Sequence, residues 1–289
     1  MSAVATKLSP AHILQHSFKW ETFAASRKED GMFTGKRVLI TGASSGIGKA
    51  LAEALAVHRT RLAILARRVP LLEELVSRLT ANGAADVLAM GCDVRSYEEL
   101  ARAVQQVQER WGGIDIALLV AGVSWITNLK RFDRDRVRET VETNLFGVVN
   151  GVGALLPVLR AQSGGGLIVG VSSLADHRGI PDYAAYNASK AAVTVFLEGM
   201  RVGLRREGIR VVTVKPGFVR TALTEKNLFP MPFLMEAEKA AKVILNGIKK
   251  DKRTIQFPVP LAVLTRIINH LPNALFDGLL QGTDKVLRG

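Results

Sequence analysis

At 289 residues, with 48% hydrophobic and 22% charged side chains, the chain is long enough for one large domain with a sizeable core, and its composition excludes a disordered or fibrous protein. A single cysteine excludes an internal disulfide framework and a zinc ribbon, and the longest wholly apolar run, Phe257 to Leu264, falls far short of the roughly twenty residues of a membrane-spanning helix. With 39 basic and 26 acidic residues the net charge is +13, which suits a phosphorylated small molecule or an anionic membrane surface; aromatics at 6% and no recognised binding fold argue against nucleic acid as a partner.

Residues 1–33 read as an N-terminal extension. They hold no apolar core flanked by basic residues, and Glu21, Glu29 and Asp30 do not suit a transit peptide, so a reducing, cytoplasmic home is expected. A serine followed by proline predicts a helix over 9–25. The histidines never combine helical i, i+4 spacing with an acidic partner, so no metal site is expected.

From 34 to 258, short β-branched runs alternate with helix-length stretches. The strands are predicted at 36–41, 61–66, 86–90, 115–120, 166–172, 209–215 and 254–257, with helices such as Ser96 to Trp111 and Tyr183 to Glu207 between them. The strands are apolar on both faces, as parallel strands covered by helices above and below must be. This pattern predicts a doubly wound α/β Rossmann sheet with its ligand beyond the carboxyl ends of the strands.

The first strand runs into "TGASSGIGKA", where Gly42, Gly46 and Gly48 lead straight into a helix. Such a turn lets a diphosphate approach backbone N–H groups at a helix N-terminus. The second strand ends in "AILARR". An NAD site usually has a carboxylate there, but this chain has Arg67 and Arg68, which suit a 2′-phosphate, so NADP(H) is expected over NAD(H). After the third strand, Asp93 of "CDV" is expected to accept from an adenine amino group.

Tyr186 and Lys190 in "AYNASKAA" stand one helical turn apart and share a face. A free phenol titrates near about 10, too high for easy exchange at neutral pH, and a neighbouring ammonium is expected to lower that value. With "TGASSGIG", "CDV", "AG" at 121–122, Asn144, "VSS", "YNASK" and "PGFVRT" falling in order over roughly residues 36 to 225, the chain resembles the short-chain dehydrogenase/reductase family.

The resemblance implies a seven-stranded parallel sheet, reversible transfer of a hydride between a nicotinamide and a carbonyl or secondary alcohol, and a homodimer or homotetramer that pairs the tyrosine-bearing helix. It makes Tyr186 the acid/base, Lys190 its supporting cation and the holder of the ribose, and Ser173 the residue that orients the substrate oxygen. Ser172 is the competing choice for that last role. Asn144 would hold a water in the proton relay. Ser44, Ser45, Ile47, Val94, Ala121 and Gly122 would line the dinucleotide; Pro216, Gly217, Val219 and Thr221 would border the nicotinamide. Val120 departs from the pattern, standing where the family commonly has asparagine.

Between Phe218 and Glu238, Leu223, Leu228, Phe229, Met231, Phe233 and Leu234 form either a greasy lid over a bulky apolar substrate or a cover for the domain's own core. Residues 259–289 carry an amphipathic pattern that would pack on the fold, form a dimer contact or lie on a membrane surface. The rival functional readings are a non-catalytic NADP-binding sensor or scaffold, and an epimerase or dehydratase on the same fold.

Overall fold

The computed structural model describes residues 31–288 apart from Asn128 and residues 226–229, and the side chains of 281–288 are also outside the description. The helix expected over 9–25 lies outside the described residues. The chain divides into two units, Met1–Met32 and Phe33–Gly289, and the second carries the sheet and the site.

Its strands are β1 (Arg37–Thr41), β2 (Arg61–Ala66), β3 (Asp86–Gly91), β4 (Ile116–Leu119), β5 (Gly166–Val171), β6 (Ile209–Pro216) and β7 (Thr254–Phe257). They form one seven-stranded sheet in the order β3-β2-β1-β4-β5-β6-β7, and every pairing is parallel. The helices between them are α1 (Gly46–Ala56), α2 (Val69–Ala81), α3 (Tyr97–Trp111), α4 (Arg134–Val141), α5 (Gly147–Ala161), α6 (Ala184–Gly203) and α7 (Ala237–Lys249), followed by α8 (Val259–Asn269) and α9 (Asn273–Arg288).

Successive strand residues face opposite sides. Leu39, Ala63, Leu65, Ala117, Leu119 and Ile168 meet Leu100, Val104, Val152, Leu155, Val193 and Leu197 of α3, α5 and α6 in one buried cluster. The intervening Val38, Ile40 and Ile64 are as fully buried and belong to the other layer, where α1 packs on α7. Both faces are therefore dry, the condition that makes parallel strands read as near-continuous apolar runs.

Local signals set the helix ends. Ser96 caps α3 by accepting from Glu99 N at 3.2 Å, and Gly112 closes it in the left-handed region at φ 74°. Asp133 caps α4 by accepting from Asp135 N and Arg136 N. A π turn at Glu142–Phe146 joins α4 to α5. The whole run Arg134–Ala161 is long and apolar enough by composition to cross a membrane, but Val148, Val152, Leu155 and Leu159 commit it to the domain core.

The strand order reverses at β1, whose neighbours are β2 and β4. At the amino end of that seam, Asp115 accepts from Arg37 N, Nε and Nη2 at 2.9, 3.0 and 3.1 Å. Burial pushes the Asp115 carboxyl up, but the Arg37 hydrogen bonds outweigh it and leave the group below the ordinary value of 3.8. A carboxylate depressed in the fold stabilises it above the unfolded value and loses that contribution as pH falls. Asp115→Ala should cost about 2 kcal/mol in urea unfolding near neutral pH. The gap to wild type should hold down to about the unfolded carboxylate value and close below it; a gap that widens in acid would contradict this account.

Candidate active site

The helix α6 supplies the centre of the site. Ala185, Ser189, Val193 and Leu197 are buried, and this small or aliphatic face lets the helix lie close to the sheet. Lys190 is only 4% exposed, and its Nζ donates to Val171 O, at the carboxyl end of β5, at 2.9 Å. Burial brings the ammonium down to about 8. One turn earlier, the ring of Tyr186 has its centroid 5.8 Å from that Nζ.

Burial pushes the Tyr186 phenol above its ordinary value; the hydrogen bond with Ser173 pulls it back, and the negative charge of Asp176 raises it further. The lowering expected from Lys190 is thus not what this arrangement produces. Removal from water dominates, and the ammonium is occupied with a backbone carbonyl. At neutral pH Tyr186 is a protonated phenol, a proton donor.

The structure separates the two serines. Ser173 is near enough to act on the Tyr186 phenol, and its Oγ accepts from Ala175 N at 3.1 Å. Ser172 faces the other way, 2.8 Å from Lys190 O and 2.7 Å from Thr194 Oγ1. Asn144 sits in the π turn, fully buried. Its Oδ1 accepts from Val123 N at 2.8 Å, and its Nδ2 donates to Val123 O at 2.9 Å and Ser189 Oγ at 3.0 Å. It therefore ties the exit of β4 to α6. Gly122 gives it room: a Cβ there would lie 3.1 Å from Asn144 Oδ1 and 3.5 Å from Lys190 Nζ.

The glycine turn forms a cradle. Gly42 has φ +70° and would bring a Cβ to 2.8 Å from Ala121 Cα; Gly46 has φ +54° and would bring one to 2.7 Å from Thr221 Cγ2. Only glycine takes these positions without strain. A Cβ on Gly48 would strike the carbonyl of Gly42. Ile47 lies in the first turn of α1, and Ser45 stands at its N-cap without making a side-chain cap bond. Instead, Arg68 Nη2 donates to both Ser44 Oγ and Ser45 Oγ at 3.0 Å. The lone carboxylate expected beside the adenine is engaged: Asp93 is clasped by Arg95 through its N, Nε and Nη2. Arg67 lies within charge range of Asp93, and Val94 is buried against Gly147.

Where Val120 replaces asparagine, Thr41 closes the seam. Its Oγ1 accepts from Val120 N at 3.0 Å and Ala121 N at 3.3 Å, joining the ends of β1 and β4. Pro216 ends β6, and Gly217 packs beside Leu174 and Leu261 of α8. Val219 is buried and bridges to Met235, and Thr221 lies against the glycine turn. In the expected lid, Leu223, Met231 and Leu234 are half-buried and Phe233 is 54% exposed, while Leu228 and Phe229 lie outside the described residues. Cys92 is buried, and burial with the nearby Glu99 and Asp93 charges pushes its thiol up to about 12, which removes it as a nucleophile.

Sequence reasoning missed Asn187, Asp176 and Ser189. Asn187 bonds Ile180 N at 2.8 Å and Ala175 O at 3.0 Å, fastening the loop after β5 to α6. Its place inside "YNASK", between Tyr186 and Lys190, was the available signal. Asp176 offered none beyond a polar residue in a loop.

A switch-point cleft with a glycine cradle on one side and a buried lysine and serine with a half-buried tyrosine on the other suits a nicotinamide-dependent oxidoreductase. The short chain dehydrogenase family pattern matches residues 36–229, and the chain belongs to the short-chain dehydrogenase/reductase family. It is 41% identical over 242 residues to an uncharacterized oxidoreductase of Myxococcus xanthus, covering 84% of this chain and 95% of that one. It is 33% identical over 219 residues to the farnesol dehydrogenase of Aedes aegypti, covering 74% and 89%.

Among solved structures, a short-chain dehydrogenase/reductase from Mycobacterium marinum superposes with a TM-score of 0.73 at 29% identity, covering 80% of this chain and 97% of that one. The alcohol dehydrogenase of Thermococcus sibiricus, solved with 5-hydroxy-NADP, gives 0.68 at 28% identity, covering 77% and 94%. The glycine cradle and the cations around it fit a nicotinamide dinucleotide. Gly42, Gly46 and Gly48 would admit its diphosphate, and Lys190 and Tyr186 would meet its nicotinamide half.

The two serines predict opposite phenotypes. Ser173→Ala should lower turnover about a hundredfold with little change in stability. Ser172→Ala should cost about 1 kcal/mol in unfolding and leave most of the turnover. Equal kinetic losses in the two variants would reject the separation.

Proposed function

We propose that the chain is an NADP(H)-dependent oxidoreductase that interconverts a carbonyl and a secondary alcohol on a bulky, hydrophobic substrate. The observation that carries the reading is buried Lys190 one helical turn from Tyr186, its Nζ 5.8 Å from the centroid of the tyrosine ring, with Ser173 acting on the phenol and a glycine cradle whose serines are held by Arg68. A bound nicotinamide supplies or takes the hydride; the protein's own residues handle the proton. Tyr186, protonated at neutral pH, donates to the substrate oxygen in reduction and takes the proton back in oxidation. Ser173 gives that oxygen a second hydrogen bond and so fixes it beside the phenol. Lys190 supplies positive charge next to the phenol as its proton leaves.

The preference for NADP(H) rests on Arg68, which joins both turn serines where an NAD site would have a carboxylate. The preference for an apolar substrate rests on exposed Phe233 and on Leu223, Met231 and Leu234, which the fold buries only in part, and the similarity to a farnesol dehydrogenase supports it. An epimerase or dehydratase has no observation in its favour here. In parallel assays with NADPH and NADH on a panel of ketones, wild type should prefer NADPH, Arg68→Ala should lose most of that preference, and Tyr186→Phe should lose at least about a hundredfold in turnover. Preference for NADH, or turnover of small polyols alone, would sink the reading.

Two partners are suggested by the surface. Val195 and Val202 on α6, with Phe146, expose apolar surface that supports pairing of this helix in a homodimer. The second partner is an anionic membrane. Val259, Val263, Leu264 and Ile267 of α8 and Leu275 and Leu279 of α9 are all about half exposed or more, beside exposed Arg266. Arg178 pins this segment next to the site through Leu271 O, Asn273 Oδ1 and the ring of Phe276. A chain of net charge +13 is drawn to an anionic bilayer, from the cytoplasmic side in this reading. Wild type should float with phosphatidylserine vesicles and sediment as two chains. Val263→Asp with Ile267→Asp should sediment unchanged and no longer float; equal flotation removes the membrane partner, and a single-chain mass removes the dimer.

A further inference from the structure

One buried acid has no part in the proton transfer assigned to Tyr186. Asp176, in the loop after β5, is 5% exposed, and its partner Lys215 on β6 is 7% exposed. Lys215 Nζ stands 2.7 Å from Asp176 Oδ2, and Thr194 Oγ1 donates to the same oxygen at 2.5 Å. His177 Nδ1 lies 2.6 Å from Asp176 Oδ1. Thr194 also touches Ser172, which in turn reaches Lys190 O.

These contacts run along one stripe of α6. Tyr186, Lys190, Thr194 and Glu198 recur at helical i, i+4 spacing, so they share a face. The stripe begins at the phenol and ends in a polar cavity of about 430 Å³ lined by Thr194, Glu198, Arg201, Lys215, Lys252 and Gln256. The cavity exists because β7 turns Thr254 and Gln256 outward while Ile255 and Phe257 are buried. Lys215 therefore has Asp176 on one side and a polar space on the other.

A buried ion pair contributes little net stability compared with apolar residues of the same shape. What this one does is fix geometry and charge. It anchors the loop bearing Ser172 and Ser173 to β6, and holds Asp176 Oδ2 where Thr194, one turn past the lysine on the helix bearing Tyr186 and Lys190, donates to it.

We propose that Asp176, held by Lys215, is a positioning residue for the reaction: it clamps the serine loop to the catalytic helix at Thr194, so that Ser173 meets Tyr186. The proposal rests on the reading of Tyr186 as the proton donor. The negative charge of Asp176 also acts on the phenol, favouring its protonated form. The charged and titratable groups around the phenol and this acid are Lys190, Glu198 and Arg201 on α6, His177 on the loop, Lys215 on β6 and Lys252 before β7. Beside Asp176, Lys215 makes the ion pair, and the half-exposed ring of His177 makes a hydrogen bond through Nδ1.

The chain has only three tyrosines, so the phenol can be followed directly by alkaline absorbance titration, with Tyr186→Phe identifying its step. Asp176→Asn alone strands a buried ammonium, so the variant used is Asp176→Asn with Lys215→Gln, which removes both charges and keeps hydrogen-bonding amides. Its Tyr186 step should move down by about one pH unit. Thr194→Val keeps both charges but cuts the clamp. It should leave that step in place while kcat for NADPH-dependent reduction of benzil, a bulky aromatic diketone, falls about tenfold and the NADPH dissociation constant stays the same.

An unmoved Tyr186 step in a double variant with wild-type near-ultraviolet circular dichroism overturns the charge role. An unchanged kcat in Thr194→Val overturns the clamp. A double variant that does not fold while Thr194→Val behaves as wild type also overturns it, because the pair is then purely structural. The titration needs no turnover, so it separates failure here from failure of the catalytic reading, which would leave wild type and Tyr186→Phe equally inactive on benzil.

Discussion

The site depends on keeping one lysine ammonium out of water. A cation at the position of Lys190 is costly to bury, and the cost is offset only if its surroundings are polar in the right place. The carbonyl at the end of β5 provides that, because Val171 is the last strand residue and its oxygen points out of the ladder toward α6. The small residues on the same helix face let the helix come near enough for the contact. Once the ammonium is there, the position of the tyrosine one turn back is set by helical geometry, and the serine loop has to close over both.

That closure is made with polar rather than apolar groups. Ser172, Thr194, Asp176 and Asn187 hold the loop after β5 to α6 by hydrogen bonds. Such bonds are directional, so they set angles as well as distances. An apolar loop would have held the two elements together without fixing where Ser173 points. The same division appears across the seam of the sheet: Arg37 and Asp115 lock the amino end of β1 and β4, and Thr41 ties the carboxyl end, where the cofactor cradle begins.

Much of this was legible in the sequence. Strands β2 and β7 have the expected boundaries, β4 is a residue shorter at each end, and the others differ by one residue at one end, because apolar runs bounded by glycine and charge leave little freedom in an open parallel sheet. The glycine turn, Ser173, Tyr186 and Lys190 come together because each motif sits at the carboxyl end of its strand or on the helix that comes next. What the sequence did not reveal depends on contacts between distant segments. The direction of the Tyr186 shift required knowing that the phenol is withdrawn from water and that Asp176 acts on it. The Asp176–Lys215 pair joins residues from different strands' exits, and no local pattern announces it. Arg68, not Arg67, reaches the turn serines, a choice made by side-chain geometry at the end of β2.

The π turn at Glu142–Phe146 has a consequence for how the chain can change. A π turn holds one more residue than an α turn, and each added residue rotates the downstream helix by about 100°. With that extra residue in place, Asn144 faces α6 and α5 faces the core. Removing it would leave a regular, more ordinary helix of nearly the same composition, but would swing either the asparagine or the apolar stripe out of place. In this segment the information lies in the count of residues as much as in their kinds.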